Sequence, residues 1–89
     1  MSMQSVHRLY TEKKNKAAIL RLIAEQFESF TLQPVTGYYR GKPEPAIVVE
    51  IVGASAPAMR KLAEKVKRMN GQKSILTIRF RAEAETSRW

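Results

Sequence analysis

Apolar and polar positions run along this chain in two rhythms, one with a period of two and one near 3.6, which replace each other along its length. Residues 5–12, SVHRLYTE, are rich in β-formers and partly alternating, and predict a first strand. Val6, Arg8 and Tyr10 share one of its faces, His7 and Leu9 the other. Residues 13–30, KKNKAAILRLIAEQFESF, switch to helical spacing, with Ile19, Ile23 and Phe27 as a stripe that Leu20 and Leu22 widen. Thr11 or Asn15 can cap its start, and Glu25, Gln26 and Glu28 leave the opposite side wet.

Residues 30–39, FTLQPVTGYY, predict a second strand. Pro34 cannot donate a ladder hydrogen bond, which places this strand at a sheet edge. RGKPEP reads as the turn that follows. AIVVEIVG, residues 46–53, is apolar on both faces, with Ile47, Val49 and Ile51 on one and Val48, Glu50 and Val52 on the other, as expected of a central strand. Ser55 then serves as an N-cap and Pro57 suits a first helical turn. Met59, Leu62, Ala63, Val66 and Met69 form the apolar stripe of a second helix, and Asn70-Gly71 stops it. In QKSILTIRFRAE, Leu76, Ile78 and Phe80 alternate with Thr77, Arg79 and Arg81 in a last strand.

The order β-α-β-β-α-β predicts an α+β, ferredoxin-like fold: a four-stranded antiparallel sheet with two helices on one face. Right-handed crossovers put the first and third strands in the centre and the second and fourth at the edges. That agrees with Pro34 and with the doubly apolar third strand. The expected organisation is one domain over residues 1–82 and a polar tail over 83–89, frayed unless Trp89 docks. The sheet face opposite the helices must meet water, a ligand or a partner. Val48, Val52, Ile75 and Thr77 are the expected contributors to an interface there.

Composition narrows the chemistry. The 89 residues hold no cysteine, which removes disulfides, thiolate metal sites and thiol catalysis. There is no Asp and a single His, so a Ser-His-Asp triad cannot be assembled. The start MSMQSVHRLY lacks the charged and apolar regions of a signal peptide, and no apolar run is long enough to span a bilayer. A cytoplasmic setting with no membrane partner is the expectation. The formal charge is +8, unevenly placed: residues 1–52 carry a net +2 and residues 53–89 a net +6. Such a field favours anionic partners.

The candidate residues follow from that charge. Lys61, Lys65 and Arg68 recur at helical spacing on the polar face of the second helix, flanked by Lys67 and tempered by Glu64. With Arg79 and Arg81 they are the candidate anion-binding set. His7 has no local nucleophile and no metal-ligand spacing, and reads as a half-buried strand histidine. Glu50, mid-strand, needs a partner, with Arg8 or Arg79 across the sheet as the choices. No metal site and no cofactor are expected. The open sheet resembles that of RNA-recognition domains, but AIVVEIVG lacks the aromatics those domains stack on bases. GYYRGKPEPA, residues 37–46, is not a phosphate loop of the G-x-x-x-x-G-K-[ST] form, and no helix follows it. Its glycines allow a bend and Pro43 and Pro45 stiffen the exit. Tyr38, Tyr39, Arg40, Lys42 and Glu44 make it the candidate recognition element.

LYTE before the first helix, FTL..VTGYYRGKPE running into IVVEI, and the Gln of GQKSILTI resemble a group of small, mostly uncharacterised bacterial and phage proteins. Their shared stretch is roughly G-x-[aromatic]-x-G-x-x-E, matched here by Gly37, Tyr39, Gly41 and Glu44, with Gln72 near the end. The resemblance implies a ferredoxin-like scaffold, similar in layout to the PII-like signal proteins, whose loop after the second strand contacts ligands or partners.

The leading expectation is a non-catalytic binding or regulatory protein, homo-oligomeric through its sheet with a dimer favoured. It would act on a host protein or an anionic ligand, as a phage or mobile-element accessory factor. The alternative is a nucleic-acid binder contacting phosphates through the second helix and last strand. A small enzyme built on His7, Tyr38 or Tyr39, Arg40 and Glu44 is the third reading.

Overall fold

A computed structural model of the protein describes residues 2–86. The elements follow one another as β1 (Ser2–Glu12), α1 (Lys16–Gln26), β2 (Thr31–Tyr39), β3 (Lys42–Val52), α2 (Ala56–Asn70) and β4 (Leu76–Ala84). The strands form one sheet in the order β2-β3-β1-β4, and every neighbouring pair is antiparallel. This is the ferredoxin-like arrangement, with β1 and β3 central and Pro34 on an edge strand, as the sequence predicts.

The core lies between the helices and one face of the sheet. Leu9 on β1 and Ile47, Val49 and Ile51 on β3 meet Ile19 and Ile23 of α1 and Met59, Leu62, Ala63 and Val66 of α2. Each large apolar side chain removed from water in this way contributes about 1.5–3 kcal/mol. Ser55 caps α2 by accepting from the Ala58 N–H at 3.2 Å. Gly71 closes α2 in the left-handed region at φ 64. No helix among the described residues is long and apolar enough to cross a membrane.

Several boundaries differ from those expected. The first helix is shorter: Phe27 is already extended (φ −130, ψ 130) and packs against the core from beyond the helix end, while Leu20 stays 44% exposed. Thr11 does not cap α1. Asn15 occupies the N-cap position in a left-handed conformation without a side-chain cap bond, and its Nδ2 donates to the end of α2. In α2 the residue that completes the buried stripe is Asn70, one turn beyond Val66, and Met69 is exposed. The fourth strand runs on to Ala84, into residues read as tail, and the question of Trp89 falls outside the described residues.

The last strand corrects the expected interface. Its register pairs Phe80 with Val6, Ile78 with Arg8 and Leu76 with Tyr10. Leu76, Ile78 and Phe80 therefore stand on the open face, while Thr77 and Arg79 share the helix side with Leu9 and His7. Ile75 packs against the core. Neither Ile75 nor Thr77 belongs to the open face; Val48 and Val52 do.

Candidate functional site

The β2–β3 hairpin outruns the rest of the sheet. The last β1–β3 pair is Glu12 with Ala46, but β2 and β3 continue through Thr36–Pro45, Gly37–Glu44, Tyr38–Pro43 and Tyr39–Lys42. At roughly 3.3 Å per residue, this two-stranded ribbon stands about 13 Å clear of the end of β1. RGKPEP is thus mostly strand. The turn itself is only Arg40-Gly41, both at positive φ (51 and 78), as a tight two-residue hairpin turn requires. Gly37 lies within regular β2 rather than at a bend; a Cβ there would make ordinary contact, 3.8 Å from the Glu44 carbonyl.

Both prolines fit because of the register. Pro43 and Pro45 are two apart, so their missing N–H groups point to the same side of β3, away from β2 and beyond the end of β1. Pro34 has its missing donor on the outer edge of β2 by the same alternation. The ribbon exposes Tyr38 by 73% and Tyr39 by 60%, and Arg40 lies over the Tyr39 ring at 5.3 Å. Alternation puts Tyr39, Lys42 and Glu44 on one side of the ribbon and Tyr38 on the other, with Arg40 at the tip. On the open face, further into the sheet than the ribbon, a shallow depression of about 310 Å³ is lined by Arg8, Tyr10, Thr31, Gln33, Val48 and Glu50.

A polar knot anchors this end of the molecule. Asn70, buried at the last turn of α2, donates to Thr11 Oγ1 (2.9 Å), to Gln72 Oε1 (3.3 Å) and to the Glu12 carbonyl (3.4 Å). Thr11 donates in turn to Gln72 Oε1, and Asn15 donates to Asn70 Oδ1 (3.0 Å) and the Met69 carbonyl (3.2 Å). The next residue on from the β1 end, Lys13, donates its N–H to the Pro45 carbonyl at 3.2 Å. The knot therefore ties the α2–β4 loop to the β1–α1 corner and, through it, to the hairpin root. In the sequence Gln72 stands out only through the resemblance, at the entry to the last strand. Asn70 carried no functional signal there beyond its place in a helix stop.

The expected cations divide into two groups. Lys61, Lys65 and Arg68 are exposed on the outer side of α2, and none forms an ion pair among the described residues. Arg79 instead faces α2 across a groove of about 550 Å³, opposite Arg60 and Lys67, and Arg81 follows it along the same side of β4. Lys67 is bonded to Glu64 at 3.1 Å. Arg60 and Lys73 were missed as site residues because the register that turns Arg79 toward them is not a property of β4's sequence alone.

Glu50 takes Arg8, its cross-strand neighbour, at 2.7 Å, and not Arg79, which is on the other face. The Glu50 hydrogen bond, above all, holds the Arg8 guanidinium above its ordinary pKa. Arg8 also stacks over Phe80 at 5.0 Å. His7 is buried on the helix side, its Nε2 2.9 Å from the Ala54 carbonyl. It pairs with Ile51, nine positions along β3 from Lys42 and so about 30 Å from the hairpin tip. His7, Tyr38, Tyr39, Arg40 and Glu44 are not brought together. Among the described residues no group of three His or Glu side chains is placed to hold a metal ion.

No protein-family model matches the chain, and no curated protein matches it in sequence. Solved structures do match in shape over nearly the whole length. A DUF3240 family protein from Shewanella baltica OS155 superposes with a TM-score of 0.67 at 17% identity, covering 100% of this chain and 98% of that one. A phage SAM lyase in its apo state reaches 0.58 at 13% identity, over 94% and 92%. CPII, a PII-like nitrogen regulatory protein from Thiomonas intermedia K12 bound to ADP, AMP and bicarbonate, reaches 0.67 at 10% identity, over 97% of both chains. At these identities the likeness shows a shared fold, and the chain is similar in layout to the PII-like proteins.

Proposed function

We propose that this chain is a non-catalytic binding and regulatory protein whose projecting β2–β3 hairpin is the recognition element. One observation carries the reading. The hairpin presents two exposed tyrosines, two cations and a carboxylate on a ribbon with a tight turn, and the knot at its root holds that ribbon in place. Rigid aromatic side chains with few rotors to freeze are well suited to forming a contact surface. The bound nucleotides of the similarly folded CPII support a small-ligand or protein-signalling role of the same kind. The dispersal of His7 from Tyr38, Tyr39, Arg40 and Glu44 supports binding over catalysis.

The same reading makes the protein a homo-oligomer through its open sheet face. Val52, Leu76, Ile78 and Phe80 are 51%, 57%, 39% and 36% exposed there, on the face that also holds the buried Val6. A second copy offers the matching apolar surface.

The hairpin is tested by deleting Tyr38, Tyr39, Lys42 and Pro43 together. Removing two residues from each strand keeps the turn and the face alternation. The variant is expected to fold and to lose the proteins or nucleotides that co-purify with the native chain, read by mass spectrometry. Retained binding overturns the hairpin reading. If binding is lost instead on changing Lys61, Lys65 and Arg68 to Gln, recognition belongs to the outer face of α2, the surface a nucleic-acid backbone would use.

A further inference from the structure

The groove between α2 and β4 lies on the opposite side of the sheet from the open face and is independent of the hairpin. It exists because β4 gives the helix layer no apolar side chains. Its apolar set faces the other way, so α2 packs over β1 and β3 and leaves the helix side of β4 uncovered. The resulting space of about 550 Å³ is lined by apolar side chains, among them Met59, Ala63 and Ile75, and by four cations: Arg60 and Lys67 from α2, Lys73 from the connecting loop, and Arg79 from β4. The one carboxylate, Glu64, is already bonded to Lys67. Four cations around one partly enclosed space repel one another, and nothing among the described residues neutralises Arg60, Lys73 or Arg79.

The groove wall also carries an oriented polar group. Taken as a donor, His7 Nε2 bonds to the Ala54 carbonyl, which leaves Nδ1 as an acceptor in the neutral ring. Nδ1 has no protein partner, yet no fully buried side-chain nitrogen or oxygen lacks one among the described residues. Nδ1 is therefore not fully buried, and His7 is one of the groove's lining residues.

We infer that this groove binds a small phosphate ester, its phosphate held by Arg60, Lys67, Lys73 and Arg79 and a ligand hydroxyl donated to His7. Two guanidinium groups favour an anion that accepts paired hydrogen bonds, and the volume falls in the usual small-molecule range of roughly 300–1,000 Å³.

The test is a titration of the full chain, followed by amide NMR, with inorganic phosphate and with ribose 5-phosphate. Both are expected to give saturable shifts confined to residues around Arg60, Lys67 and Arg79, with ribose 5-phosphate binding several-fold tighter. Arg79→Gln and Arg60→Gln, both at exposed positions, should each weaken binding by about tenfold, and Lys61→Gln on the outer face should leave it unchanged. Absence of saturation up to about 10 mM, or shifts spread equally to Lys61, Lys65 and Arg68, overturns the site. Equal affinity for the two probes overturns the ester assignment. None of these outcomes depends on the hairpin, whose deletion should leave the titration intact.

Discussion

Asn70 shows how one side chain can organise an end of the fold. It is among the few buried polar residues, and its amide reaches β1, the α2–β4 loop and the start of α1 at once. Truncating it would strand several buried partners without new ones, the costly direction for a polar network. Asn70→Ala is expected to lower stability by about 1–3 kcal/mol, read as a drop in the urea midpoint. Because Lys13 links the same corner to Pro45, the variant should also speed amide exchange at the hairpin root. Unchanged exchange there would show that the knot and the hairpin are independent. Gln72 belongs to the same knot, accepting from both Thr11 and Asn70.

At the scale of elements, the hairpin holds a residue that its geometry disfavours. Arg40 occupies the first position of the turn at φ 51, where Asn is the favoured residue before Gly. Arg40→Asn is expected to stabilise the protein by about 0.5–1 kcal/mol, seen as a higher melting temperature, and to weaken partner binding through loss of the cation over Tyr39. A gain in stability with full binding would leave Arg40 without a recognition role. The two helices contrast in a similar way. Ser55 caps α2 by local chemistry, whereas Asn15 at the start of α1 spends its amide on α2, so that helix start is held by tertiary contacts.

For the whole molecule, the two sides of the sheet have opposite characters. The helix side is closed over β1 and β3 and open and cationic over β4; the far side carries an apolar patch on β4 and Val52, beside the Arg8–Glu50 ion pair. Ile78 lies in that apolar surface and is partly exposed, so a charge there costs little in folding. Ile78→Glu is expected to keep a cooperative urea transition and to reduce the mass seen by light scattering to that of one chain. A wild-type chain that already scatters as a monomer would remove the open face as an association surface.

Much of this was determined by the sequence by itself. The periods of two and 3.6 set the six elements, Pro34 and the doubly apolar β3 ordered the strands, and Ser55 and Gly71 set the ends of α2. These are local signals, carried by residues a few positions apart. Tertiary structure alone decided which side of β4 faces the helices. An alternation of Leu76, Ile78 and Phe80 with Thr77, Arg79 and Arg81 is equally compatible with either side until pairing with β1 sets the register. That choice sent Leu76, Ile78 and Phe80 to the open face and Arg79 to the groove, while the β1–β3 register set Arg8 opposite Glu50. Likewise the hairpin became a ribbon rather than a loop because β3 continues to pair with β2 after β1 has ended, a matter of relative strand lengths that only the assembled sheet settles.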